Sequence, residues 1–97
     1  MDKLIHKLQE AVDKLHSTFD RTDLDVEFKK IQQKIEEARY NPGDAKPFAD
    51  SIFSLLLAAK NGGFNVNAIF SELEKLADKI QQKRWKKMED GTYRSLD

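Results

Sequence analysis

The sequence predicts an all-α fold. Apolar residues recur at intervals of three and four along most of the chain, and no segment shows the period of two that a half-buried strand needs. The breaks between periodic stretches fall at clusters of Asn, Pro and Gly. The chain has 97 residues, enough for a single domain with a modest core, and a partner chain would enlarge that core. Charged residues make up 35% and hydrophobic residues 39%, a balance that suits helices with well-solvated faces or a protomer of an oligomer.

The first segment, about residues 2–19, places Leu4, Ile5, Leu8, Ala11, Val12, Leu15 and Phe19 on one stripe of a 3.6-residue helix. The second, about 23–40, repeats the pattern at Leu24, Phe28, Ile31, Ile35 and Ala38. Thr22 or Asp23 is suited to cap its start, and Asp25 and Glu27 complement the positive end of its dipole. Asn41-Pro42-Gly43 stops it, because proline lacks the helical N–H and disfavours helix in the residue before it. The third segment, about 47–60, accepts Pro47 in its first turn. Phe48, Ala49, Ile52, Phe53, Leu55, Leu56, Leu57, Ala58 and Ala59 cover nearly its whole circumference. Such a helix belongs at the centre of a bundle or between two protomers.

Asn61-Gly62-Gly63 ends the third helix, with glycine free to adopt the left-handed conformation. Asn65 is a good cap for the fourth, about 66–86, and Phe64 and Ile69 are spaced for a hydrophobic staple. Ile69, Phe70, Leu73, Leu76, Ala77 and Ile80 continue the stripe towards Trp85. The tail, 87–97, has one turn signal at Asp90-Gly91 and is expected to lie over the surface or a neighbouring chain.

Seventeen basic and seventeen acidic side chains cancel, so no global field draws the chain to extended nucleic acid or to a membrane. There is no cysteine, hence no disulfide and no thiolate nucleophile or ligand. MDKLIHKLQE carries charge every few residues, unlike a secretory leader. The longest apolar run, Ile52 to Ala59, is far shorter than the roughly 20 residues that span a bilayer. A cytoplasmic protein is expected.

Two stretches, IEEARYNPGDAKPFADSIFSLLLAAKNGGFN and KLADKIQQKRWKKMEDGTYR, carry a resemblance that covers roughly Leu24 to Arg94. In the order of helix, Pro-Gly break, "FAD"-started apolar helix and RW…DGTYR ending, the chain resembles the MazG-like all-α nucleotide pyrophosphohydrolases, especially the short dATP/dGTP pyrophosphohydrolase-like members. The resemblance implies a four-helix bundle, often shared between protomers, with Glu-Glu-x-x-Glu on one helix and Glu-x-x-Asp on the next. It also implies Mg²⁺ held by carboxylate oxygens, bridging the phosphates and activating water to convert a nucleoside triphosphate into monophosphate and pyrophosphate.

The chain departs from that pattern. Asp50 matches the last acid of Glu-x-x-Asp, but the first falls on Pro47. Holding Ile31 and Ile35 in apolar positions sets the other acids near Lys29, Lys30 and Gln33. Glu36 and Glu37 lie a turn later, and Glu27 enters only in another register. Asp50 thus has two readings, a first-turn charge favoured by the helix dipole or, with Glu36 and Glu37, part of a metal site. Glu36 and Glu37 are otherwise solvated charges, and Lys29 and Lys30 a solvent face or direct phosphate contacts. His6 and His16 are too far apart for paired ligands; His6 and Glu10 share the i, i+4 spacing but read as surface residues. The resemblance also implies a lysine and an asparagine on the last helix; Lys75 or Lys79 could stand for the lysine, but no asparagine follows before Trp85. Lys83, Arg84 and Trp85 could hold a phosphate with a base stacked on the indole, or be dipole-complementing cations beside a packed Trp.

The resulting expectation is a MazG-like helical protein, completed by homo-oligomerisation and catalytically degenerate, with a structural or nucleotide-binding role. One alternative is an active pyrophosphohydrolase using Mg²⁺; another is an unrelated helical interaction module.

Overall fold

The computed structural model describes residues 2–18 and 24–96. Phe19, Thr22 and Asp23, to which the sequence assigns a stripe position and a helix cap, lie outside the described residues. Four helices follow in order: α1 (Asp2–Thr18), α2 (Leu24–Tyr40), α3 (Lys46–Asn61) and α4 (Val66–Gln82). A short antiparallel hairpin closes the chain, β1 (Trp85–Lys87) with β2 (Tyr93–Ser95). The fold is an all-α bundle with a small β appendage. No helix among the described residues is long and apolar enough to cross a membrane.

Local chemistry sets the helix ends. The α1 hydroxyls of Ser17 and Thr18 both donate to the Lys14 carbonyl in the last turn. Before α3, Asp44 Oδ1 accepts the Lys46 N–H at 3.0 Å, an Asx turn that satisfies one first-turn donor, and Pro47 sits where its missing N–H has no helical partner. After α3, the Gly62, Gly63 and Phe64 amides donate back to carbonyls of Ala58, Ala59 and Lys60, and Gly63 takes φ +93°, as the sequence anticipates. The Asn65 side chain accepts the Ala68 N–H at 2.8 Å, the expected cap of α4. Phe64 remains more than half exposed.

α3 is central. α2 packs on it most extensively, α1 and α4 pack on it and on each other, and α2 meets neither α1 nor α4. Val12, Leu56 and Val66 are the centre of the core, joined by Ile5, Leu8, Phe53, Leu57, Ile69 and Phe70. The third helix's predicted burial holds only on part of its circumference. Phe53, Leu56 and Leu57 join the α1/α4 core, while Phe48, Ile52 and Leu55 lie outside it, about half exposed.

α4 ends at Gln82, short of the expected 86, and the segment expected as a featureless tail is partly a hairpin. Lys83 turns extended, and the Trp85 indole N–H donates to the Ile80 carbonyl at 3.2 Å, satisfying an acceptor left over at the helix end. Glu89-Asp90-Gly91 then closes a three-residue loop. Gly91 N–H donates to Met88 O, Gly91 takes φ +88°, and Met88 N–H pairs with Thr92 O. Asp90 Oδ1 accepts both the backbone and hydroxyl donors of Thr92, which hold its carboxyl below the ordinary range, the hydroxyl most strongly.

From Ser71 to Lys87 every residue is exposed, so the back half of α4 and the hairpin project from the body as an arm. The radius of gyration is 16.1 Å, against about 12.5 Å for a compact chain of this length.

Candidate functional site

The packed face of α2 is fixed by burial at Glu27, Ile31 and Ala38, with Lys34 half-buried on the same face. This face is rotated from the apolar stripe Leu24, Phe28, Ile31, Ile35 and Ala38; the two share Ile31 and Ala38, while Leu24, Phe28 and Ile35 stay exposed. Lys34 therefore turns towards α3. Its ammonium lies 3.6 Å from Glu37 Oε2 and 3.9 Å from Asp50 Oδ2. Lys46 approaches the same Asp50 oxygen at 3.5 Å. Asp50 and Glu37, two of the three predicted metal acids, are thus brought to one edge of the α2/α3 pair, with a lysine between them.

Glu36 is not part of this cluster; it pairs with Arg39 at 3.8 Å. Lys29, Gln33, Glu36, Glu37, Tyr40 and Asn41 line a shallow open depression on the outer face of α2. Lys30 is exposed and Pro47 is buried. Glu27 is 6% exposed. It lies two turns, about 10.5 Å along the helix, from Lys34, and among the described residues it joins no group of three acids that could hold a metal ion. His6 and Glu10 form an exposed i, i+4 pair at 2.9 Å. Among the described residues no three His, Asp or Glu side chains converge as metal ligands would.

The predicted phosphate-binding residues fall at the arm's outer end. Lys79 is exposed in the last turn of α4, Lys83 caps that helix, and Arg84 and Trp85 lead into β1. The hairpin sets Lys86 directly opposite Arg94, an unfavourable like-charge pair. The indole N–H is committed to Ile80, which leaves Trp85 oriented by the helix end.

Two residues matter that the sequence reading did not single out. Lys34 is one, a cation spaced three from Ile31 and four from Ala38, the signature of a packed helix face. Gln9 is the other. Its Oε1 accepts the Val66 N–H at 2.7 Å and its Nε2 donates to Asp13 Oδ1 at 2.9 Å. Asp13 in turn meets Lys60 Nζ at 3.2 Å, so one amide ties α1 to the root of α4 and to the end of α3. The Gln9 amide, then the Lys60 ammonium, hold the Asp13 carboxyl below its ordinary 3.8. The available signal for Gln9 was a polar residue flanked by Ile5, Leu8 and Val12 on the apolar side of its helix.

No family model matches this chain. No curated protein and no solved structure matches it either.

Proposed function

We propose that the chain is a helical scaffold protein, a MazG-like bundle without two-metal chemistry, that assembles with itself. The observation that carries this reading is Lys34. Its ammonium stands between Glu37 and Asp50, and Lys46 takes the same Asp50 oxygen. A lysine in that space supplies a positive charge, but it holds no set of waters and generates no metal-bound nucleophile. Self-assembly is supported by the apolar surface the fold leaves open. Ile52, Leu55, Leu73, Leu76 and Ile80 are each about half exposed, and each withholds roughly 1 kcal/mol of transfer free energy that a partner would recover.

The test is a titration of Mg²⁺ or Mn²⁺ by calorimetry, with and without a deoxynucleoside triphosphate, alongside an assay of pyrophosphate release. The reading expects neither metal affinity at millimolar concentration nor turnover. Metal-dependent turnover that disappears in Asp50→Asn would make the protein an enzyme with a rearranged site. Nucleotide binding without metal or turnover would shift attention to Lys29 and Lys30 and to the basic patch of Lys79, Lys83, Arg84 and Trp85.

A further inference from the structure

We propose that two copies of this chain exchange their arms, the Leu73–Leu76–Ile80 seam of each α4 docking on the Phe48–Ile52–Leu55 seam of the other copy's α3. This rests on the self-assembly reading above and names the surfaces that perform it.

The accessible surface sets the scale. The chain exposes 8056 Å², whereas a folded monomer of 11.2 kDa exposes about 5,700 Å². The difference of about 2,400 Å² per chain exceeds what one partner contributes to a standard stable interface, about 800 Å². A second copy, offering the same two unfilled surfaces, is sufficient to remove it.

The two seams match in pattern and length. Val66, Ile69, Leu73, Leu76 and Ile80 alternate steps of three and four along α4, as do Phe48, Ile52, Leu55 and Ala59 along α3. Leu73 to Ile80 and Phe48 to Leu55 each span seven residues, about 10.5 Å. α2 widens the receiving surface. Lys34 and Asp50 mark one edge of the α2/α3 pair, and at about 100° per residue the exposed Phe28 and Ile35 of α2 lie on the opposite edge, the side to which Ile52 and Leu55 of α3 also turn.

An arm cannot fill the seam of its own chain. Its root is fixed by buried Val66, by the Asn65 cap and by the Gln9 bond to the Val66 N–H. That root packs with Phe53, Leu56 and Leu57, whereas Phe48, Ile52 and Leu55 lie outside this cluster. No Gly or Pro interrupts residues 66–82, so nothing provides the kink that folding back would need. Reciprocal exchange covers both open surfaces at once and closes as a two-fold dimer. Direct packing of two α2/α3 faces would instead leave both arms bare.

The full chain, which lacks cysteine, permits a clean test. Sedimentation is expected to give about 22 kDa, twice the 11.2 kDa chain. Leu76→Glu and Ile52→Glu, both at exposed positions of the isolated chain, keep their helical circular dichroism. Each raises the dimer Kd about a hundredfold or more, the scale of losing a central apolar anchor. Mixing the two variants restores a dimer, because one of its two junctions is then wild type on both sides. Under oxidation, Ile52→Cys mixed with Leu76→Cys forms a disulfide-linked heterodimer, while neither variant links to itself. A dimer that survives Leu76→Glu, or self-linking of Ile52→Cys, would overturn arm exchange and leave self-assembly standing through another surface. A wild-type chain that stays monomeric at high micromolar concentration would overturn both.

Discussion

Gln9→Ala isolates the bond that roots the arm. In the wild type the Val66 N–H, the first of the α4 helix, donates to Gln9 Oε1 at 2.7 Å, and Val66 is 1% exposed. Truncating Gln9 leaves a donor with no partner beside a buried side chain, at about 1–3 kcal/mol. Loss of the exposed Gln9–Asp13 bond adds a few tenths, so a destabilisation of about 2 kcal/mol is expected. With a urea m-value of about 1.5 kcal/mol/M, the midpoint falls by about 1.3 M without a change in slope. The titration is run at one protein concentration, because self-assembly itself shifts the midpoint. Gln9→Glu supplies the internal control. Its carboxylate still accepts the Val66 N–H, next to the positive end of α4, but no longer donates to Asp13. It should recover at least half of the loss. An alanine variant within about 0.5 kcal/mol of wild type, or a glutamate variant as unstable as alanine, would refute the assigned role, since surface substitutions without one fall in that range.

Acid unfolding tests the same network through Asp13. Its carboxyl is held below 3.8 in the folded chain, so the unfolded chain takes up the proton first and the contribution is lost as pH falls. The melting-temperature gap between wild type and Asp13→Asn should be present at neutral pH and close as pH falls through 3.8 and below; a gap constant with pH would contradict this. Lys34→Glu replaces the ammonium between Glu37 and Asp50 with a third carboxylate, and should create a millimolar Mn²⁺ affinity, read by water proton relaxation, that wild type lacks. Equal affinity in both would show that Lys34 does not fill that space. Two glycines should respond with opposite signs to alanine. Gly63, at φ +93°, loses about 1 kcal/mol in thermal unfolding, whereas Gly43, with negative φ and no atom within 4 Å of an added Cβ, gains about 0.4–1 kcal/mol.

What the sequence discloses is mostly what is local. The four helices, the Asn65 cap and the left-handed Gly63 all follow from residues within a few positions of each other. The hairpin was also local, and its signal was present. Trp85-Lys86-Lys87-Met88 and Thr92-Tyr93-Arg94-Ser95 flank Glu-Asp-Gly, but the apolar stripe of the fourth helix points on towards Trp85, and the indole bond to Ile80 that ends the helix leaves no periodic trace. The α2 register shows a different limit. Its apolar stripe and its packed face differ by a rotation of less than a quarter turn, enough to exchange Lys30 and Gln33 for Lys34 at the site. Only the position of α3 distinguishes the two. Gln9 marks the far end of this scale, since its partner Val66 lies 57 residues away in the chain.

The arm also has an electrostatic consequence. Between residues 83 and 97 stand Lys83, Arg84, Lys86, Lys87 and Arg94 against Glu89, Asp90 and Asp97, two positive charges in excess, which leaves two negative in excess on residues 1–82 of a formally neutral chain. From Ser71 to Gln82 the helix carries the hairpin about 18 Å outward, more than twice the Debye length of about 8 Å at physiological salt. At that ionic strength the hairpin and the body act as separate ions, one cationic and one anionic. In dilute salt the same molecule is a dipole whose ends attract those of its neighbours, so added salt should weaken its long-range association while leaving the apolar seams untouched. The zero in the net charge is an average over two ends that solvent keeps apart.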